Sequence, residues 1–257
     1  MLTEERRKRI AQMLLCEDAV KVEPLAEEFD VSLATIRRDL AALEEEGVLR
    51  RVYGGAVSLQ KPIPSNARFQ NRMNDMQAEK AAIGRLAASL VQPGDTVLLD
   101  VGSTTLEVAR ALKDRSDINV LTISLPILNE LVDSPLNVYS LSGRMRKSAH
   151  SYVGNVVSNA LQPFHINKAF IGCGGYTLEY GLTEYVIESA QNRNYFIEQS
   201  DEAIMVADSK KFGTNAAILV ENSNYVKTIV TDSGLSEDWQ HKLRAHGIEL
   251  FIANPKP

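Results

Sequence analysis

The apolar positions change period early in the chain, and the change divides it in two. Up to about residue 59 they recur at helical spacing. Ile10, Met13 and Leu14 predict a helix over 3–15. Val22, Leu25, Ala26 and Phe29 predict a second that begins near Pro24, a residue suited to a first helical turn. Asp30-Val31 makes a short turn. Leu33, Ile36, Leu40 and Leu43 then carry a third helix to about Glu46, with Ser32 at its N-cap position, Gly47 just past its end and these four apolar residues expected on its buried side. Thr35 stands where a Glu would complete a reciprocal capping box, so that box is not expected. Val48 to Val57 mixes β-formers with Gly54-Gly55 and predicts a small hairpin. Helices joined by so short a turn have helix-turn-helix spacing, and a hairpin directly behind them has the place of a wing.

Gln60 to Ser65 holds two prolines and no apolar period, and 60–74 is expected to be a semi-rigid linker. From Asp75 to Leu90 the pattern is helical again, with Ala82, Ile83, Leu86, Ala87 and Leu90 in register. Apolar runs then alternate with helical segments. The strand candidates are Val97 to Val101, Val120 to Ser124, Val138 to Ser142, Ala169 to Cys173, Ile204 to Asp208, Ile229 to Asp232 and Leu250 to Ala253. Such alternation predicts a mainly parallel sheet covered on both faces. The expected class is therefore α/β: a winged helix-turn-helix domain over 1–59, a linker over 60–74 and a mainly parallel-sheet domain over 75–257.

Composition narrows the possibilities. A length of 257 residues suits a small domain joined to a medium one. No run approaches the ~20 apolar residues of a membrane span. Glu4 to Arg9 stands where a signal peptide would need apolar residues. The only cysteines, Cys16 and Cys173, and the four scattered histidines form no metal-ligand spacing, so no metal or cofactor is expected, and the default compartment is a reducing cytoplasm. A net charge of -5 excludes a general nucleic-acid coat. Residues 1–60 carry nine Lys plus Arg against twelve Asp plus Glu, but the cations are clumped at Arg6 to Arg9, Arg37-Arg38 and Arg50-Arg51. Few phosphate contacts per protomer suit a binder that depends on dimerisation and sequence readout.

Opposite the apolar side of the third helix lie Ala34, Arg38, Ala41 and Ala42, flanked by Thr35 and Arg37. Small residues let the backbone approach a groove while a guanidinium reaches a base edge. The candidate DNA-binding residues are therefore Ser32, Ala34, Thr35, Arg37 and Arg38 on the helix, with Arg50, Arg51, Tyr53 and Gly54 on the wing. In an open parallel sheet, ligands bind outside the carboxyl ends of the strands. The first strand ends in Asp100-Val101-Gly102-Ser103-Thr104-Thr105, where Gly102 permits a tight turn into a helix N-terminus lined with hydroxyls, as a phosphate requires. Later strand ends supply Ser124, Gly143 with Arg146, Gly174, and Asp208 with Lys211. Asp100, Asp208 and Glu188 could accept hydrogen bonds from sugar hydroxyls.

The order Arg6, Ile10, Leu14, Ser32, Thr35, Ile36, Arg37, Arg38, Asp39, Leu40, followed by Tyr53-Gly54-Gly55-Ala56, resembles the DNA-binding domain of the DeoR family of bacterial transcriptional regulators. Asp100 to Thr104, Gly143 with Arg146, Tyr152-Val153-Gly154, Gly181-Leu182-Thr183, and Ala207-Asp208 with Lys211-Phe212-Gly213 resemble that family's effector domain, which is similar in fold to ribose-5-phosphate isomerase and glucosamine-6-phosphate deaminase. The resemblance implies a repressor of a sugar-utilisation operon with three kinds of partner: operator DNA, a phosphorylated sugar or related metabolite, and further copies of the chain in a dimer or tetramer. Arg193 stands for a lysine common in the family, Ser142 for a glycine and Lys210 for a serine. Extra cations at Arg144 and Lys210 are expected to favour a more anionic or differently shaped effector. The alternative is a sugar-phosphate isomerase or deaminase with a DNA-binding appendage, in which Asp100, Glu184, Glu188 or Asp208 would serve as the base. No histidine falls within the strand-end motifs, and the N-terminal module would be idle in such an enzyme. A scaffold whose second domain only oligomerises would not need so many polar strand ends.

Overall fold

The computed structural model describes residues 3–16, 19–52, 54–58 and 73–255. The chain divides into two compact units, 1–65 and 66–257. In the first, α1 (Thr3–Cys16), α2 (Val22–Glu28) and α3 (Leu33–Glu45) bury Ile10, Leu14, Leu25, Phe29, Ile36, Leu40 and Leu43 against one another. Asp30 takes a left-handed φ of 49° in the turn between α2 and α3, a conformation that Asp tolerates better than most residues. Gly47 (φ 71°) ends α3, and the Val48 amide reaches back to the Leu43 carbonyl at 2.9 Å, the outer bond of a Schellman cap.

The hairpin is β2 (Leu49–Val52) and β3 (Gly55–Ser58). A third strand, β1 (Ala19–Lys21), pairs antiparallel on the far side of β3, in the order β1-β3-β2. Three residues are too few to show a period, so this strand has no signature in the sequence. It explains the glycine pair: Gly54 takes a positive φ of 79°, while a Cβ on Gly55 would lie 1.9 Å from the Val20 carbonyl oxygen. Leu33 departs from the expected pattern. It is exposed, and its place on the buried side is taken by Asp39, whose carboxylate holds Arg6 Nε at 2.6 Å and Arg7 Nε at 3.1 Å.

The second unit is built on seven strands in the order β15-β14-β12-β9-β4-β5-β6, every adjacent pair parallel. They are β4 (Thr96–Leu99), β5 (Asn119–Thr122), β6 (Asn137–Ser140), β9 (Ile166–Ile171), β12 (Ser200–Val206), β14 (Thr228–Asp232) and β15 (Glu249–Ala253). All seven candidate runs lie in this sheet, several starting earlier and ending sooner than the apolar runs suggest. In β9, for example, polar Lys168 belongs to the ladder because its ammonium pairs with Asp95 at 3.1 Å. Side chains alternate between two cores. Leu98, Leu121, Ala169, Ile171, Met205 and Ile229 face one, and Val97, Leu99, Val120, Phe170, Ile204 and Val230 the other.

Helices α4 (Gln77–Ala88), α5 (Ser103–Leu112), α6 (Leu125–Leu131), α7 (Asn155–Leu161), α8 (Ile187–Glu198) and α9 (Glu237–Ala245) connect the strands. Met73 and Asn74 are already helical, and Met73 packs against the second core, so the structured unit starts inside the expected 60–74 linker. The part of that linker before Met73 lies outside the described residues. Short antiparallel pieces accompany the sheet: a hairpin of β7 (Arg144–Arg146) and β8 (Ser151–Val153), and a small sheet of β10 (Gly175–Thr177), β11 (Gly181–Glu184) and β13 (Ile218–Leu219).

Helices α4 and α5 interlock at Gly84, where a Cβ would lie 2.5 Å from the Glu107 carbonyl carbon. The obstacle is backbone and cannot swing aside. Gly84→Ala is therefore expected to destabilise this unit by about 1–3 kcal/mol through overpacking. Thermal unfolding followed by fluorescence of the single Trp239 reads the loss, and an unchanged midpoint would mean that the helices separate freely.

Candidate functional site

The exposed side of α3 carries Ala34, Arg37 and Arg38, with Ala41 and Ala42 half-buried. Ser32 caps the helix: its hydroxyl accepts from the Thr35 amide at 3.1 Å and shares a 2.9 Å hydrogen bond with the Thr35 hydroxyl, which stands in for the absent box. Both hydroxyls are thus engaged in holding the helix start. Arg50 and Arg51 are exposed on β2, and Gly54 is exposed at the hairpin turn. Tyr53 lies outside the described residues. Among the described residues, Arg37, Arg38 and Arg50 make no ion pair. Arg51 pairs with Glu44 of α3 at 2.7 Å.

In the second unit the chain leaves β4 toward β5 on one side and later returns to β9 on the other. The crevice between β4 and β9 at their carboxyl ends is thus a topological switch point, where open α/β sheets bind ligands. A buried cluster floors it. Arg193 of α8 pairs through Nη2 with Asp100 at 2.9 Å and through Nη1 with Glu184 at 3.0 Å, and its Nε donates to the Gly172 carbonyl at 2.7 Å. The Gly172 amide donates in turn to Asp100 Oδ2 at 3.3 Å. Arg193, Asp100 and Glu184 are all buried. Burial pushes the Asp100 carboxyl above its ordinary range, against the pull of the Arg193 guanidinium. Arg193 therefore builds the site's floor and has little capacity left for a ligand.

Helix α5 opens at this crevice behind Gly102, which has no side chain to cap it, and Ser103 and Thr104 stand at its start. Gly102 has an extended φ of 170°, so the tight turn expected to require glycine is not its reason; a Cβ there would crowd the Thr105 hydroxyl at 3.2 Å. That hydroxyl donates to the Asp100 carbonyl at 2.7 Å and staples the loop. Ser124, after β5 on the same edge, is buried with its hydroxyl unpartnered among the described residues. Lys211, after β12, is half-buried and makes no ion pair among the described residues. Asp208 is buried 3.9 Å from the buried Lys80 ammonium.

Gly143 and Gly174 are packing glycines: a Cβ would meet the Val153 carbonyl oxygen at 2.7 Å and the Thr183 carbonyl oxygen at 3.0 Å, and the Gly174 amide is already spent on Thr183. Arg146 bonds the Ser189 hydroxyl. Arg144 pairs with Glu188 at 2.8 Å and Lys210 with Asp75 at 2.7 Å, so the two extra cations are matched by carboxylates instead of adding charge for an effector. Sequence reasoning missed Lys80, a buried cation in an alanine-rich helix whose other cation, Arg85, is exposed. It also missed Asp232, which accepts the Ser209 amide at 2.7 Å and the Gly234 amide at 2.9 Å. Burial pushes the Cys173 thiol up to about 12, so no thiolate nucleophile is present there near neutral pH. No group of three or more His, Cys, Asp or Glu among the described residues is placed to hold a metal ion, and no described helix is long and apolar enough to cross a membrane.

A winged helix with exposed arginines, carried on one chain with a parallel-sheet α/β unit, has the architecture of a DNA-binding protein with a second, separate domain. The DeoR-like helix-turn-helix domain model matches residues 6–62, and the DeoR C terminal sensor domain model matches residues 75–233. The transcriptional repressor AccR of Agrobacterium fabrum is 35% identical over 98% of this chain and 98% of its own length. The HTH-type transcriptional repressor GlcR of Bacillus subtilis is 31% identical over 98% of this chain and 97% of its own. A ribose 5-phosphate isomerase A from Methanocaldococcus jannaschii overlays with a TM-score of 0.41 at 14% identity, over 54% of this chain and 55% of that one. The chain belongs to the DeoR family. It is a DNA-binding transcriptional repressor and not a metabolic enzyme.

If α3 enters the major groove by its Ala34-Arg38 side, Arg38→Ala should cost about 1–3 kcal/mol on operator DNA and little on random duplex. Arg51→Ala, a loss on the wing, should weaken both alike and lower the salt slope by about one. Fluorescence anisotropy across a salt series separates the two patterns. An Arg38→Ala variant that still discriminates as the parent does would overturn this orientation of the helix.

Proposed function

We propose that this repressor controls a sugar-utilisation operon and that a phosphorylated sugar or related anion, bound at the carboxyl edge of the sheet between β4 and β9, sets its affinity for operator DNA. The observation that carries the reading is the uncapped N-terminus of α5 at the switch point. Its amides and positive dipole end suit a phosphate. Lys211 supplies the cation, Ser103, Thr104 and Ser124 supply hydroxyls, and Asp208 supplies an acceptor for sugar hydroxyls. The chain works as a homo-oligomer in the cytoplasm, where its operator lies. In a simple two-fold dimer the half-sites stand about 34 Å apart. An effector that binds one arrangement of the oligomer better than another shifts the population between them and so changes operator occupancy.

A thermal-shift screen tests the phosphate directly. A ligand at 100 times its dissociation constant adds roughly 2.7 kcal/mol of apparent stability. Ribose 5-phosphate, glucosamine 6-phosphate and other sugar phosphates are expected to include a stabiliser whose unphosphorylated counterpart does nothing. Lys211→Ala and Ser103→Ala are each expected to retain operator binding and lose the response. Equal shifts with and without the phosphate would sink the proposal.

A further inference from the structure

The recognition helix and the wing are tied together by one side chain. Glu44, in the last turn of α3, accepts the main-chain amide of Arg51 on Oε1 and the Arg51 Nε–H on Oε2, both at 2.7 Å. Each carboxylate oxygen thus holds a different part of the same residue. The pair is solvent-accessible, with Glu44 33% and Arg51 50% exposed in their side chains, and exposed pairs contribute little to stability. Its consequence is geometric. The peptide at Arg51 and the first branch of its guanidinium are fixed relative to α3, while the two terminal nitrogens make no ion pair among the described residues. An unpaired carboxylate on a surface that meets phosphates would oppose binding by like-charge repulsion. This one is spent on the wing.

We propose that Glu44 is a positioning residue for DNA binding, holding Arg51 so that its two terminal nitrogens are presented to a backbone phosphate while α3 lies in the groove. The inference rests on the reading that the wing arginine meets the DNA backbone. A free arginine must lose rotamer freedom when it binds a phosphate, and one already held by Glu44 has lost part of it on folding. The tie also fixes the wing to the helix, so that a contact made by one sets the register of the other. Glu44 touches no DNA and acts through Arg51.

Charge counting and positioning predict opposite signs, which makes the proposal sharp. Removing a carboxylate from a DNA-facing surface strengthens binding if only net charge matters. Under the positioning role, Glu44→Ala weakens binding about tenfold and lowers the salt slope toward that of Arg51→Ala. The measurement is fluorescence anisotropy of the full chain on two labelled duplexes, one recovered by selection from random DNA with the parent protein and one of random sequence. Arg51→Ala and the double variant complete the cycle. Glu44→Gln, which keeps an oxygen to accept from the Arg51 amide, is expected to fall between parent and Glu44→Ala, and unchanged thermal unfolding excludes a folding defect. The expected result is that the double variant binds no worse than Arg51→Ala alone. Glu44→Ala binding as tightly as the parent or tighter overturns the proposal, as do additive losses in the double variant. If Arg51→Ala itself changes neither affinity nor salt slope, the reading of the wing fails first.

Discussion

The buried guanidinium of Arg193 is the interaction on which the sensor unit's geometry depends. It bonds Asp100 after β4, Glu184 of β11 and the carbonyl of Gly172 after β9, so a single side chain from α8 fixes the ends of three strands that are distant in sequence. Three charged groups have been taken out of water to do this, and that is costly unless their mutual attraction and hydrogen bonds offset the loss of hydration. Removing the cation would leave two carboxylates facing each other in a poorly hydrated space. The arrangement is therefore all or nothing, and it gives the edge of the sheet its shape before any ligand arrives.

The winged helix solves its positioning problem with the same device. Asp39 is the one carboxylate on the buried side of α3, and the arginines of α1 hold it there. An apolar residue in its place would pack as well, but with less direction. The ion pair fixes the rotation of α3 about its axis and hence which residues it presents outward. In both units, buried charges set geometry, while several more accessible cations make no ion pair among the described residues. Arg6 and Arg193 belong to the first group, Arg37, Arg38 and Lys211 to the second.

The elements legible in the sequence were those long enough to show a period. The three N-terminal helices and the seven parallel strands follow from apolar spacing, because the central strands, buried on both faces, are apolar through most of their length. Strands of two or three residues, such as β1, β10 and β13, carry no such signal and form only because a partner strand supplies the ladder. The candidate site was legible as a set of strand ends, since a parallel sheet delivers them all to one edge. Their individual roles were not. Arg193 could be read as the counterpart of a family lysine, and only its bonds to Asp100, Glu184 and Gly172 show it to be consumed. Gly102, Gly143 and Gly174 could be read as phosphate loops, whereas crowding by neighbours at each position accounts for them. Sequence shows which groups reach a site; the partners that have already claimed them come from tertiary structure.

The pairing of β4 with β9 also orders events during synthesis. Leu98 lies beside Ala169, so the central seam of the sheet has no second side until some seventy residues after its first strand have been made. The winged helix needs no such wait, because each of its core contacts lies within the first sixty residues. Local contacts close quickly and distant ones slowly, and domains made first tend to fold first on the ribosome. The helix-turn-helix half is thus complete while the sensor half is still an open sheet. Each new molecule closes its DNA-binding core before its sensor core.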